Sequence, residues 1–403
     1  MSVVIIGGGH GGASAAFELR RAGYTAPVTI VGEETAIPYQ RPPLSKAWLK
    51  GTADEDSLIL RPRAWYSDNN VSLRLASRAE SISREDRSVA LAGGSVIPFD
   101  HLIIASGARA RQLKVPGSHL AGVLMLRTMA DADQLKQSFR PGARIAIIGG
   151  GYVGLETAAS ARALNAEVIV LEREPRLLAR VACPALSEFF MTVHRAEGVQ
   201  FQLDADVVRF LGDTRVHGLE LSDGRVIDCD AAVVGIGAIP NDEIARACGL
   251  ECADGIVVDQ HARTADPAIF AIGDVTRRPV ARYDRQVRLE SVPNAIEQAK
   301  QAAAAICGRP APAAELPWFW SDQYDMKLQI AGMAFDCDDI VVRGNPANRS
   351  FAMFHLRDRV LQAVEAVNSP AEFMFGKSLI ARRLRIVREK LADPAVPIRE
   401  VAA

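Results

Sequence analysis

Residues 2–34 read SVVIIGGGHGGASAAFELRRAGYTAPVTIVGEE. A short β-branched run leads into Gly7-x-Gly9-x-x-Gly12. A helix-period stretch with Ala16, Leu19 and Arg20 then stops at Gly23, and a second strand-like run ends at Glu33. This is the order of a dinucleotide-binding unit. Gly7 permits the tight turn, Gly9 lets the backbone approach a pyrophosphate, and Gly12 lets helix and strand pack closely. The free N–H groups and the positive dipole at the helix start suit a diphosphate. Glu33, 21 residues beyond Gly12, is placed to accept hydrogen bonds from an adenosine ribose.

The unit returns at residues 143–174, ARIAIIGGGYVGLETAASARALNAEVIVLERE, with Gly149, Gly151 and Gly154 as the triplet and Glu172 ending the next strand. Both copies keep three glycines and an acid, so two bound nucleotide cofactors are expected. Glu172 favours the free 2′-hydroxyl of NADH over the 2′-phosphate of NADPH. Arg173 and Arg176 stand beside it and work against that preference, because an arginine there can receive the phosphate.

Bulk properties fit this reading. The chain has 403 residues, room for two or three domains. Its formal net charge of −1 argues against a general nucleic-acid binder. The six cysteines form no CxxC, and Cys248 and Cys252 lack a companion His/Cys cluster, so plain thiols and no metal centre are expected. The apolar run VVII is too short for a signal peptide or membrane span, which makes the cytoplasm the default compartment.

Further segments fall in order along the chain. LIIASGARA (102–110) and CDAAVVGIGAIPN (229–241) end strands on small-residue turns, and TADPAIFAIGDV (264–275) runs into Gly273-Asp274. With the two glycine units, this set resembles the flavin-dependent pyridine-nucleotide oxidoreductases with two dinucleotide-binding domains. The likeness extends to about residue 310. Members that reduce disulfides carry a redox-active cysteine pair. Here the corresponding loop is PYQRPPLSK (38–46), without cysteine. That loop, LRT (126–128), ESVPNAIEQA (290–299) and PWFWSDQY (317–324) resemble the NADH-dependent ferredoxin reductases of bacterial oxygenase systems.

The resemblance implies an α/β fold with two Rossmann-like domains, for FAD and NAD, and a C-terminal α+β domain with an antiparallel sheet. The expected division is 1–108 and 241–314 for FAD, 109–240 for NAD and 315–403 for the C-terminal domain. Gly7, Gly9, Gly11 and Gly12 would face the FAD diphosphate, with Glu33 on the ribose, and Ala79 is a further cofactor-binding residue. Arg41 and Lys46 would flank the flavin on a loop stiffened by Pro42 and Pro43. Arg127 would lie in the diphosphate region, Asp274 at the ribityl chain, and Val292 against the flavin through its backbone. On the nicotinamide side stand Gly149, Gly151, Tyr152, Val153, Gly154, Glu172 and Gly237. Lys46 would pair with Glu156 and Trp320 would sit beside the flavin, these three being the residues implied for tuning and catalysis. His10, where relatives are often apolar, is expected in a solvent-facing turn.

After the Pro/Ala-rich stretch 309–317, strand-like runs KLQIAGMA, DIVVRG, SFAMFHL and VLQAVEAVN suggest an antiparallel sheet, and AEFMFGKSLIARRLRI (371–386) a helix. By the resemblance, the electron acceptor is a small acidic [2Fe-2S] ferredoxin that feeds a monooxygenase or Rieske-type oxygenase. TRRPVARYDRQVR (276–288) carries Arg277, Arg278, Arg282, Arg285 and Arg288, a candidate docking patch. Alternatives within the same architecture are rubredoxin or monodehydroascorbate as acceptor, or an apoptosis-inducing-factor-like NADH sensor. Monomer and homodimer both remain compatible with the sequence.

Overall fold

The computed structural model describes residues 1–402. The opening stretch forms strand Val3–Ile6, helix His10–Arg21 and strand Val28–Val31. Val3–Ile6 is the centre of a five-stranded sheet, paired in parallel with Val28–Val31 on one side and His101–Ile104 on the other. Val71–Arg74 and Ile269–Ala271 form the edges, so a segment from far down the chain completes the sheet. All four residues of Val3–Ile6 are buried. Val3 and Ile5 pack with Ala15, Ala16 and Leu19, and with Ala299 and Ala302 of helix Val292–Ile306. Val4 and Ile6 pack under a small antiparallel sheet through Ile82, Val89 and Leu91. A strand covered on both faces reads as a continuous apolar run rather than an alternation.

The second unit repeats this design. Arg144–Ile148 is central, between Glu167–Leu171 and Ala231–Val234, with Val199–Gln202 and Val123–Leu124 outside them, all parallel. Ile145 and Ile147 pack with Ala158, Leu186 and Phe190, whereas Ala146 and Ile148 meet Val207, Phe210 and Leu219 of a three-stranded antiparallel layer.

The C-terminal sheet has five antiparallel strands in the order Trp318–Gln323, Met326–Gly332, Val360–Val367, Ser350–Arg357 and Asp339–Asn345. One face packs on helix Pro370–Arg382 through Phe354, Val364, Phe373 and Leu379. The other face, with Leu328, Phe351, Met353 and Val367, joins Phe189 and Phe190 in the core of the second unit. The C-terminal sheet is therefore fastened to the second unit by shared apolar surface, the main favourable term in such packing.

One expectation needs correction and two segments gain a definite form. The aromatic run at 318–320 lies on the first strand of the C-terminal sheet, one more than the four strand-like runs read from the sequence, and pairs throughout with Met326–Gly332. The helix expected over 371–386 ends at Arg382, where Arg383 turns left-handed at φ 54°. The arginine-rich segment 276–288 is a β-hairpin of strands Thr276–Val280 and Arg285–Arg288. Residues 309–317 have no regular structure, as expected of a linker, yet they are held down: Glu315 N–H donates to Glu297 and its carboxylate pairs with Lys300 at 2.8 Å. Among the described residues, no helix is long and apolar enough to cross a membrane.

Candidate active site

A single cavity of about 2050 Å³ runs along the C-terminal ends of both parallel sheets. This is where ligands bind in open α/β sheets, at the reversal of strand order. In both units the glycine turn is forced by close backbone approach. A Cβ on Gly7 would lie 2.1 Å from the Ala105 carbonyl oxygen, and one on Gly149 would lie 2.4 Å from that of Gly235. Gly12 and Gly154 sit behind these turns, where a Cβ would come within 1.9 and 2.2 Å of the carbonyls of Gly7 and Gly149.

Helices His10–Arg21 and Tyr152–Ala163 both start at the cavity without a side-chain cap and with no acidic residue in the first turn. The helices that begin after Asp54, Thr128 and Ser291 are capped by those side chains. Other helices also lack a side-chain cap, but these two start at a glycine turn facing the cavity, where their first N–H groups and dipoles suit an external anion.

Around the first turn, Arg127 pairs with Asp274 at 2.8 Å, and its buried Nε has no partner. Arg41 comes within 3.9 Å of a Cβ position on Gly9. Its guanidinium is held by Glu34 (2.6 Å) and the Arg127 carbonyl (2.7 Å). Tyr39 completes the clamp, donating to Glu34 and accepting from Met129 N–H. His10 does not face solvent: it lines the cavity beside these groups. Burial, with Arg41 and Arg127 outweighing Asp274, lowers its pKa to about 4. The turn is therefore tuned to hold an imidazole neutral among cations that remain available to an anion. A buried orphan donor, an uncapped helix and a glycine cradle fit an anionic dinucleotide such as FAD. Glu33, largely exposed, lies at the cavity edge, as do Ala79 and, at the far end, Val292. Val292 opens the helix that Ser291 caps.

The stiff loop does what its prolines suggest. Residues 42–45 form a short 3₁₀ turn, and Lys46 Nζ meets Glu156 at 2.7 Å, both side chains largely buried. Glu156 also accepts hydrogen bonds from Ser45 (2.5 Å) and Ser321 (2.6 Å). Three segments distant in sequence meet at one carboxylate: the proline loop, the second glycine-motif helix and the C-terminal sheet. Trp320 lines the cavity next to Ser321 and lies against Trp318, with ring centroids 5.6 Å apart. Phe319 packs edge-on against Tyr152 at 4.7 Å.

Around the second glycine turn, Gly151, Val153 and Gly237 also line the cavity. Glu172 accepts from Gly150 N–H (2.6 Å) and Glu174 N–H (2.9 Å), so it braces the glycine turn as well as facing the cavity. Arg176 does not reach out to a phosphate. It is spent on the carbonyls of Ala179 and Ala182 and on Ser187. Arg173 is exposed, with Glu174 at 3.6 Å.

The docking patch is largely neutralised within the protein. Arg278 is buried and paired with Glu297 at 2.8 Å, Arg285 pairs with Asp336 at 2.7 Å, and Arg288 pairs with Glu290 and Asp254. Arg277 and Arg278 are neighbours on one strand and point to opposite faces, so Arg278 is turned inside, a difference that a count of charges does not register. Arg277 and Arg282 bond backbone carbonyls instead. Sequence reading missed Glu34, Tyr39, Ser45 and Ser321. Ser45 could have been suspected beside Lys46, whereas Ser321 has no local signal.

The family model described as pyridine nucleotide-disulphide oxidoreductase matches residues 1–299, and that described as reductase C-terminal matches residues 318–402. A probable ferredoxin reductase of Castellaniella defragrans is 48% identical over 402 residues, covering 99% of this chain and 98% of that protein. Putidaredoxin reductase of Pseudomonas putida is 40% identical over 409 residues, covering 100% and 97%. The crystal structure of the covalent putidaredoxin reductase–putidaredoxin complex matches with a TM-score of 0.97 at 39% identity, over 99% of this chain and 97% of that one. Two glycine turns opening on one cavity, together with this likeness over the whole length, settle the family: the chain belongs to the pyridine nucleotide-disulphide oxidoreductases, whose members use FAD and NAD(P)H, and within them to the putidaredoxin-reductase-like ferredoxin reductases.

Proposed function

We propose that this ferredoxin reductase draws its electrons from NADH and delivers them one at a time to a [2Fe-2S] ferredoxin serving an oxygenase. The observation that carries the reading is the single cavity onto which both glycine-motif helices open and which Lys46 and Glu156 line, with no cysteine in its lining among the described residues. A disulfide reductase or a cysteine-dependent peroxidase would need a thiol there.

Gly7, Gly9 and the start of helix His10–Arg21 hold the FAD diphosphate, helped by Arg41 and Arg127. Glu33 takes the adenosine ribose, and Asp274 and the start of helix Val292–Ile306 take the flavin end. Gly149, Gly151 and helix Tyr152–Ala163 hold the nicotinamide dinucleotide, with Glu172 toward its ribose. Bound FAD supplies the conversion of a two-electron hydride donor into single-electron output. Lys46 keeps a positive charge beside that site in a geometry fixed before any ligand arrives, and fixed charges of this kind favour developing negative charge without reorganisation. Glu156 holds the ammonium in place. Trp320 forms an aromatic wall between the cavity and the acceptor. Arg277 and Arg282 are the members of the basic hairpin left to steer an acidic partner.

Stopped-flow mixing of the purified yellow protein with NADH, with NADPH, and then with a [2Fe-2S] ferredoxin tests this reading. Rapid bleaching by NADH and ferredoxin-dependent reoxidation are expected. Flavin that bleaches but stays reduced in the presence of ferredoxin would overturn the acceptor assignment.

A further inference from the structure

Away from the cavity, between the second unit and the C-terminal sheet, three buried metal-ligating side chains converge: Cys183, His355 and Glu365. One ligand atom of each lies within 4.8 Å of the others. Met353 and His355, two apart on strand Ser350–Arg357, project to the same face, and Glu365 stands directly opposite Met353 on the neighbouring strand. Cys183 enters from the other domain, as the N-terminal flanking residue of helix Pro184–Ala196. Its Sγ–H points at Met353 Sδ, 3.0 Å away.

His355 Nε2 and Glu365 Oε2 are 3.2 Å apart, and each residue is 3% exposed. The two atoms are out of hydrogen-bonding alignment, however, and each is left without a partner. A plain buried ion pair would align, because an unpaired polar atom in a dry interior is costly. The other oxygen of Glu365 accepts the Cys183 backbone N–H at 3.3 Å. Such a contact fixes the carboxylate and leaves its second oxygen free to ligate.

We infer that Cys183, His355 and Glu365, with Met353 as a fourth soft donor, form a binding site for a divalent, thiol-seeking cation of the zinc type. The donor set matches zinc, which takes sulfur, imidazole nitrogen and carboxylate oxygen tetrahedrally at ~2.0–2.3 Å. Ligand atoms around such an ion are separated by roughly 3.3–3.8 Å by the same geometry, close to the His355–Glu365 spacing. Charge favours a divalent over a monovalent ion, because a thiolate and a carboxylate neutralise it while His355 and Met353 stay neutral. With ligands on both domains, the ion clamps the C-terminal sheet onto the second unit. The site is independent of the electron acceptor.

The test uses the full-length, FAD-loaded protein stripped with a chelator and titrated with Co²⁺, then with Zn²⁺. A version with Cys248→Ser and Cys252→Ser removes the only closely spaced thiols elsewhere. One equivalent of Co²⁺ should give the intense visible bands of a four-coordinate sulfur-ligated ion, displaced by Zn²⁺ and lost in Cys183→Ser and in His355→Gln. Zinc at a hundredfold excess over its Kd should raise the Tm by ~3 °C. Weak bands of six-coordinate Co²⁺ only, or intense bands that survive both substitutions, would overturn the inference. If both variants fail to fold, Glu365→Gln and Met353→Leu decide: a weakened or shifted spectrum in either supports the site, and intense bands unchanged in both would overturn the inference, because Cys229, Cys307 and Cys337 are also free thiols.

Discussion

Ser321, on the first strand of the C-terminal sheet, donates a 2.6 Å hydrogen bond to Glu156 of the second glycine-motif helix, and both residues are buried. Because Glu156 also binds Lys46 at 2.7 Å, the C-terminal sheet reaches the Lys46 ammonium through one carboxylate. Ser321→Ala leaves that oxygen short of a donor, a loss of about 1–3 kcal/mol for a buried charged group. Flavin reduction by NADH is expected to slow by ~10-fold while FAD content stays near normal, with Ser321→Thr retaining most of the rate. Lys46→Met should slow it further. Stopped-flow bleaching set against FAD absorbance per protein checks both; equal loss of rate and FAD would mean a merely structural role.

The two glycine cradles should separate the cofactors. Gly12→Ala forces a Cβ toward the Gly7 carbonyl, and Gly154→Ala forces one toward that of Gly149. The first is expected to yield a colourless protein. The second should stay yellow but bleach at least ~100-fold more slowly with NADH, equivalent to ~3 kcal/mol of lost binding. Dithionite should still reduce it fully.

Glu172 braces the turn and Arg176 is committed to the 179–187 segment. In the proposed reading, a preference for NADH over NADPH rests on Glu172, with Arg173 exposed beside it. Glu172→Gln should narrow the kcat/KM ratio of NADH to NADPH by ~10-fold, about 1.4 kcal/mol. Arg173→Ala should widen it slightly. Steady-state kinetics with both nucleotides checks the pair.

His194 is fully buried between Gln323 (2.8 Å) and Tyr324 (3.2 Å), joining helix Pro184–Ala196 to the C-terminal sheet. Burial pushes its pKa down to about 4 from 6.5, against the opposing bond to Gln323. Between those values the unfolded chain binds a proton that the folded chain does not, so stability is lost as pH falls from 6.5 toward 4 and is level above. The loss is on the order of 3 kcal/mol. His194→Gln should lower the Tm at pH 7.5 yet flatten its decline at acid pH. Thermal melts of both proteins from pH 4 to 8 test it.

Charge reversal in the hairpin should divide by whether the arginine is already paired with a carboxylate. Arg282→Glu and Arg277→Glu are expected to slow ferredoxin reduction several-fold at low salt and to spare NADH-to-ferricyanide turnover. Arg285→Glu, which breaks an exposed pair with Asp336 and a contact over Phe335, should do little to ferredoxin reduction. Arg278→Glu should cost ~3–5 kcal/mol of stability, because it strands Glu297 in the interior.

Local order made much of this protein legible. Each glycine triplet, its strand, helix and acid lie within about 33 consecutive residues. Period and spacing therefore specify the turn, the helix start and the anion site without reference to the rest of the chain. The stiff loop ahead of Lys46 is likewise written in two adjacent prolines.

What the sequence could not determine depends on long-range packing. Whether an arginine of the hairpin faces solvent or Glu297 follows from strand alternation against a helix 19 residues away. His10 looks solvent-facing in a glycine loop until Arg41, Arg127 and Asp274 close around it. The convergence of Ser45, Lys46, Glu156 and Ser321, and of Cys183 with His355 and Glu365, spans more than 100 residues in each case. Hydrogen-bond and ligand geometry act over about 3 Å, so only the docking of the C-terminal sheet on the second unit brings these groups together.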